Sequence, residues 1–279
     1  MNGTDGVFQI AVIPGAGHLL VNGPTPDYIE QEVGARTIDY DKPGGQRIYA
    51  HAVSHFDLPV DTKVHTLDVT LRRGVTIKGR LVDPDGRPVK EAKMLSRYPM
   101  LASEHTFRGL PTTIRDGQFE LHGLDPNENY TVVFLDPENK LGAAIELSGQ
   151  SDPSQPLVVS MVPCGSATAR FVTTDGKPFT KYAPSLMIVL TRGPSPISLR
   201  ERDLIRLSAD EGFVGNFDRR NYWKPPQPDR QGQCTFPALV PGADYRFHVY
   251  RDGQLTGTKT FKVESGKTLE LPDVVIATK

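Results

Sequence analysis

"RLVDPDGRPV" (residues 80–89) and "RFVTTDGKPF" (residues 170–179) are near copies of one another, and each reads as a turn set between two strands. In the first, the approach "GVTIKGRLV" (74–82) alternates Val75, Ile77, Gly79 and Leu81 with Thr76, Lys78 and Arg80, the period of a strand with one buried face. Asp85-Gly86 then supplies the turn, because glycine accepts the positive φ that such turns require. "GQFELHGL" (117–124) and "NYTVVFLD" (129–136) follow as further strands, split by Asp125-Pro126.

Working outward, the same frame recurs. "DGQFELHGLDPNENYTVVF" from Asp116 lies over "QGQCTFPALVPGADYRFHV" from Gln231, placing Phe119 on Cys234, Leu121 on Phe236, Leu124 on Leu239 and Tyr130 on Tyr245. A third, partial copy opens the chain, where "DGVFQIAVIPGAGHLLV" sets Asp5, Gly6, Phe8, Ile10 and Pro14 on this frame. The closing segments "HTLDVTLRRG", "QPLVVSMVPCG" and "TLELPDVVIATK" also correspond, and the first two run straight into the next copy. One sheet cannot bury both of its faces alone, so each unit is expected to fold as a two-layer sandwich.

Composition fits this picture. A length of 279 residues suits two or three domains, and 38% hydrophobic with 23% charged residues describes a chain able to bury real cores. The net charge of -1 offers no basic footprint for nucleic acid. Apolar runs such as "SLMIVL" (185–190) fall far short of the ~20 residues that span a bilayer, and the opening "MNGTDGVFQI" lacks the basic start and apolar core of a signal peptide. Prolines and glycines are spread between short runs rich in Val, Ile, Leu, Phe and Thr, as in all-β proteins. The one helical pattern is residues 197–213, where Leu199, Leu204 and Leu207 share a face.

"GVTIKGRLVDPDGRPVKEA" with "RDGQFELHGLDPNENYTV" resembles the carboxypeptidase regulatory-like domain, a small transthyretin-like Greek-key β-sandwich. The resemblance implies an all-β chain of tandem modules: a partial one at 1–73, a complete one at 74–163, and a divergent one at 164–279 with an insertion at about 191–230. It further implies a non-catalytic array without cofactors, acting as a structural, spacer or binding part of a larger secreted or envelope-associated bacterial protein. The family carries no catalytic residues to transfer, and no catalytic motif of the usual kinds occurs.

The rival chemistry is metal-dependent. "YAHAVSHFD" (49–57) brings together His51, His55 and Asp57, with His65 beyond, so that His51, His55 and His65 form the ligand set of an alternative hydrolase or dioxygenase reading. The stretch reads as a strand, however, on which residues four apart lie about 13 Å apart. "PGAGHLLVNG" (14–23) reads as a turn and not as a phosphate loop. The two cysteines are Cys164 and Cys234, and Cys234 is expected inside as a free thiol because it stands in for Phe119. The insertion displays Arg219, Arg220, Tyr222 and Trp223 beside Pro225-Pro226, the materials of a surface that binds protein or carbohydrate.

Overall fold

The computed structural model describes residues 6–33, 48–96, 111–152, 154–181, 183–190, 211–251 and 254–276, and almost all their regular structure is β-strand. The N-terminal part holds β1 (Gly15–Val21), β2 (Gln31–Val33), β3 (Ile48–Ala50) and β4 (Ala52–Leu58), paired antiparallel as β1 with β4 and β2 with β3. The middle part holds β5 (Val75–Val82), β6 (Glu91–Ser96), β7 (Thr112–Arg115), β8 (Gln118–Leu124), β9 (Asn129–Asp136), β10 (Leu141–Ser148), β11 (Leu157–Ser160) and β12 (Val162–Pro163). The last part holds β13 (Gly165–Thr173), β14 (Ser185–Val189), β15 (Glu211–Phe213), single helical turns α1 (Val214–Phe217) and α2 (Arg219–Tyr222), then β16 (Gln233–Leu239), β17 (Asp244–Arg251), β18 (Gln254–Phe261), β19 (Thr268–Glu270) and β20 (Val274–Ile276).

In the middle part the strands hydrogen-bond in the order β11-β5-β8-β7-β6-β9-β10-β12, and the path folds over on itself at β7. Ile77 and Leu81 of β5, Phe119 and Leu121 of β8 and Val159 of β11 thereby share one core with Met94 of β6, Val132 and Phe134 of β9 and Leu147 of β10. Phe119 and Phe134 meet at 5.0 Å between ring centroids, although their strands are not neighbours in the ladder. The last part divides the same roles between two sheets, β16-β13-β19 with β20 beside β13, and β15-β14-β17-β18.

The paired turns are alike in detail. The Asp83 N–H donates to Arg87 O (2.8 Å) and the Gly86 N–H to Asp83 O (3.0 Å), while Thr173 donates to Lys177 O (2.8 Å) and Gly176 to Thr173 O (2.9 Å). Gly86 and Gly176 have φ of 80° and 78°, the conformation the Asp-Gly steps supply cheaply. The two tyrosines also correspond: the Tyr130 hydroxyl accepts the Asp125 N–H and the Tyr245 hydroxyl the Val240 N–H, both at 2.8 Å. Each satisfies a buried backbone donor five residues upstream.

Side-chain volumes compensate across the β5–β8 and β13–β16 pairs. Gly79 faces Phe119, and a Cβ at Gly79 would collide with that ring; the corresponding pair is Ala169 with Cys234. A missing side chain in one strand makes room for a large one in its neighbour.

The N-terminal part departs from expectation. Residues 14–23 are no turn: β1 occupies most of them, and Gly17 is there because the Phe56 ring lies against it. Residues 7–13 form no strand and expose Phe8 and Ile10, which the frame would turn inward. Residues 65–72 also lie outside the strands, since among the described residues 6–73 none plays the part of β5 between them. The helix expected at 197–213 lies outside the described residues except for 211–213, and those are strand β15, paired with β14.

Phe119→Ala is expected to cost about 3–5 kcal/mol, because it empties a fully enclosed aromatic site above Gly79. Denaturant unfolding of the variant measures this as a lowered midpoint, and a change under 1 kcal/mol would place Phe119 outside the core.

Candidate functional site

The expected binding residues are brought close in sequence by α1 and α2 but separated by burial. Asp218 joins the two turns; its buried carboxylate accepts the Asn221 N–H (3.1 Å) and the Asn221 side-chain amide (2.7 Å), capping α2. This sets Tyr222 inward, where its hydroxyl donates to Pro237 O at 2.6 Å and burial pushes the phenol well above its ordinary pKa. Tyr222 is therefore a core residue and not a stacking platform for a ligand, contrary to the sequence expectation.

Arg220 is likewise committed, donating to Pro137 O (3.3 Å) on the middle sandwich. Arg219, Arg220 and Trp223 are all exposed, and Tyr222 alone of the four is buried. The guanidinium carbon of Arg219 stands 5.4 Å from the centre of the indole, and Trp223 is 69% exposed. A flat cation stacked on an exposed indole presents both an apolar face and a hydrogen-bonding edge. The cleft beneath, lined by Leu186, Phe213, Gly215, Tyr222 and Pro225, encloses about 10 Å³, room for no more than a water molecule.

The sequence reading missed a second surface. On the β17–β18 ladder, Arg246 lies opposite Thr260 and His248 opposite Thr258. With Lys259 these line an open groove of about 560 Å³, and Arg246 Nε donates to Thr260 Oγ1 at 3.0 Å. The only available signal was the polar half of the alternation in "DYRFHVYR", which the sequence shares with any exposed sheet face.

The alternative metal set is not assembled. His51 is buried between β3 and β4, its Nδ1 accepts the Gly23 N–H at 2.6 Å, and burial lowers its pKa. His55 points instead to His18 across the β1–β4 ladder, with ring centroids 5.1 Å apart, and His65 is exposed in the segment beyond β4. Among the described residues no group of three or more His, Cys, Asp and Glu side chains could hold a metal ion. His51 and His55 diverge because they lie in strands and connections whose geometry separates them, as the extended spacing requires.

A polar junction that the sequence did not signal joins the N-terminal part to the middle sandwich. Asp27 accepts from Thr25 (2.9 Å) and Thr76 (3.2 Å) and lies 3.1 Å from His122 Nδ1, whose Nε2 faces Glu120 at 3.2 Å. The Thr25 hydroxyl first, and His122 next, hold the Asp27 carboxyl below its usual range. Alongside, Arg72 pairs with Asp125 at 3.0 Å, and backbone bonds run from Ile29 N–H to Arg72 O and from Gly74 N–H to Asp27 O, each 2.8 Å.

Both cysteines are free thiols, with Cys234 buried as its position opposite Ala169 requires. Burial pushes each thiol up to about 12, helped at Cys164 by the nearby Asp218 and Asp136 carboxylates. No helix among the described residues is long and apolar enough to cross a membrane.

No protein-family model and no curated protein matches the chain. Among solved structures it is similar to GBS52, the minor pilin of Streptococcus agalactiae, at 12% identity over 74% of this chain and 97% of that one, with a TM-score of 0.30. A Streptococcal ancillary pilin shares 14% identity over 90% and 76% of the two chains (TM-score 0.29), and the Bacillus anthracis TIE protein 12% over 95% and 50% (TM-score 0.23). Similarity at this level bears on no residue and no activity.

Because the native thiols resist ionisation up to about 12 while unfolded cysteine ionises near its ordinary value of 9.0, the unfolded chain releases its thiol protons first. Stability contributed by these groups is therefore complete below pH 9 and lost as pH rises toward 12. Iodoacetamide at pH 8 is expected to label neither cysteine quickly until denaturant is added, read by mass spectrometry; rapid native labelling of Cys234 would show an accessible thiolate.

Proposed function

We propose that the chain is a non-catalytic β-sandwich array, built from tandem modules of the carboxypeptidase regulatory-like, transthyretin-like kind at 1–73, 74–163 and 164–279. In this reading it serves as a stiff structural or spacer element of a larger secreted or envelope-associated bacterial protein. The observation that carries it is the apolar seam between the middle and last sandwiches. Leu95, Val133 and Leu135 project from the outer face of β6 and β9 and are buried in the core of the last part. A Cβ at Gly212 would meet Leu95, and one at Gly142 would meet Val240, so the two bodies approach as closely as glycine permits.

The connection adds no slack. β12 pairs with β10 and β13 begins two residues later, while the Cys164 N–H donates to Lys140 O (2.8 Å) and Ser265 Oγ to Pro163 O (2.9 Å). A linker hydrogen-bonded to both neighbours transmits load and fixes orientation; flexible linkers do neither. The resemblance of "GVTIKGRLVDPDGRPVKEA" and its partner motif supports the module type and the secreted or envelope setting. Arg219, Arg220 and Trp223 are the residues offered to a protein or carbohydrate partner, Tyr222 being buried.

A buried charge tests the seam. Val133→Asp is expected to lower stability by more than 3 kcal/mol, since an unpaired carboxylate would lie between the two sandwiches. It should also split one cooperative unfolding transition into two, followed by calorimetry, and raise the radius of gyration in small-angle scattering. A single unchanged transition would show that Val133 does not hold the two sandwiches together. Elemental analysis of the purified chain is expected to find no stoichiometric metal.

A further inference from the structure

His51 takes no part in a metal set, yet it touches a chemically labile step. β1 runs out into "VNG" (21–23), and asparagine followed by glycine is where a chain most readily reacts with itself, because glycine brings no Cβ to shield its amide nitrogen. The Gly23 N–H donates to His51 Nδ1 at 2.6 Å, across 28 positions of sequence. An accepting Nδ1 belongs to the neutral ring with its proton on Nε2.

The surroundings hold this contact in place. His51 is buried, and Pro24 and Pro26 restrict the backbone that follows Gly23. A Cβ at Gly23 would fall 2.3 Å from the Tyr28 ring, which lies 5.7 Å from the imidazole between centroids and 5.5 Å from the guanidinium carbon of Arg73. Asn22 itself is exposed, so water reaches it. An amide bonded to a carbonyl oxygen keeps its proton. An imidazole nitrogen is a base, and 2.6 Å is within the reach that general-base transfer requires.

We infer that Asn22-Gly23 is a self-modifying site at which His51 acts as the general base for succinimide formation. As the Gly23 N–H proton passes to Nδ1, the amide nitrogen bonds to Cγ of Asn22. The tetrahedral carbon then expels Nδ2 as ammonia, which carries away the proton held by His51. Water opens the remaining ring at either carbonyl, giving aspartate or isoaspartate, and no other reactant is consumed. Either product puts a carboxylate where a neutral amide stood, and isoaspartate adds a backbone atom shortly before Asp27 of the polar junction.

Peptide mapping by mass spectrometry over time reads the conversion in the full chain. At pH 7, Asn22 is expected to convert about tenfold faster in the folded chain than in guanidinium, where hydroxide must remove the amide proton. Burial lowers the His51 pKa, so the ring is an uncharged base at both pH 7 and pH 8. The folded rate should therefore rise only about twofold between these values, against about tenfold for the unfolded chain. His51→Gln, whose side-chain oxygen can accept the Gly23 N–H but takes no proton, is expected to bring the folded rate down to the unfolded one or below. Circular dichroism checks that this variant folds, and the pH comparison needs no variant. The inference is overturned by a folded rate at pH 7 no higher than the unfolded one, which would make the bond to His51 a shield for Asn22. It is equally overturned by a folded rate that follows hydroxide, or by an unchanged rate in folded His51→Gln.

Discussion

Strand β9 is buried on both of its faces, and much of the molecule hangs on that. Tyr130, Val132 and Phe134 face the core of the middle sandwich, while Val133 and Leu135 on the reverse side belong to the core of the last one. A strand in "NYTVVFLD" without polar alternation is what such a position demands, since a charge on either side would be stranded in apolar surroundings. Each aliphatic side chain removed from water contributes about 1.5–3 kcal/mol, so the three that cross the seam rival the net stability of a small domain. The orientation of the two sandwiches is accordingly part of the fold.

The middle and last parts solve the same local problems with different residues. Gly123 at φ 65° and Ala238 at φ 53° occupy matching points beside an irregularity in the first strand pair, and only the glycine takes that conformation without strain. Phe119 over Gly79 and Cys234 over Ala169 show packing volume shifted between strands while the backbone is kept. What recurs more faithfully is the hydrogen bonding of the turns and of Tyr130 and Tyr245, because a buried backbone donor must be satisfied whatever the side chains around it do.

The N-terminal part is attached by different means. Its junction with the middle sandwich is made of Asp27, His122, Glu120, Thr76 and the Arg72 and Asp125 pair, most of them partly exposed. Polar groups at such a surface specify orientation more than they add stability, because water competes for each of them. The junction is thus polar where the seam between the middle and last parts is apolar.

The sequence by itself determined the all-β class, the strand-turn-strand units at 80–89 and 170–179, the inward place of Phe119 and Cys234, and the strand nature of the stretch with His51 and His55. These are consequences of period-two alternation and of glycine at turns, which act over a few residues and are visible in them. Burial of Tyr222, the bond from Arg220 to Pro137 and the polar junction at Asp27 were decided only by tertiary structure. Each depends on a partner well outside its own turn or strand, and an aromatic or charged residue in a loop has the same local pattern whether it meets water or another module. The frame that made residues 7–13 look like an inward strand failed for the same reason: a strand becomes one only when another lies beside it to complete its hydrogen bonds.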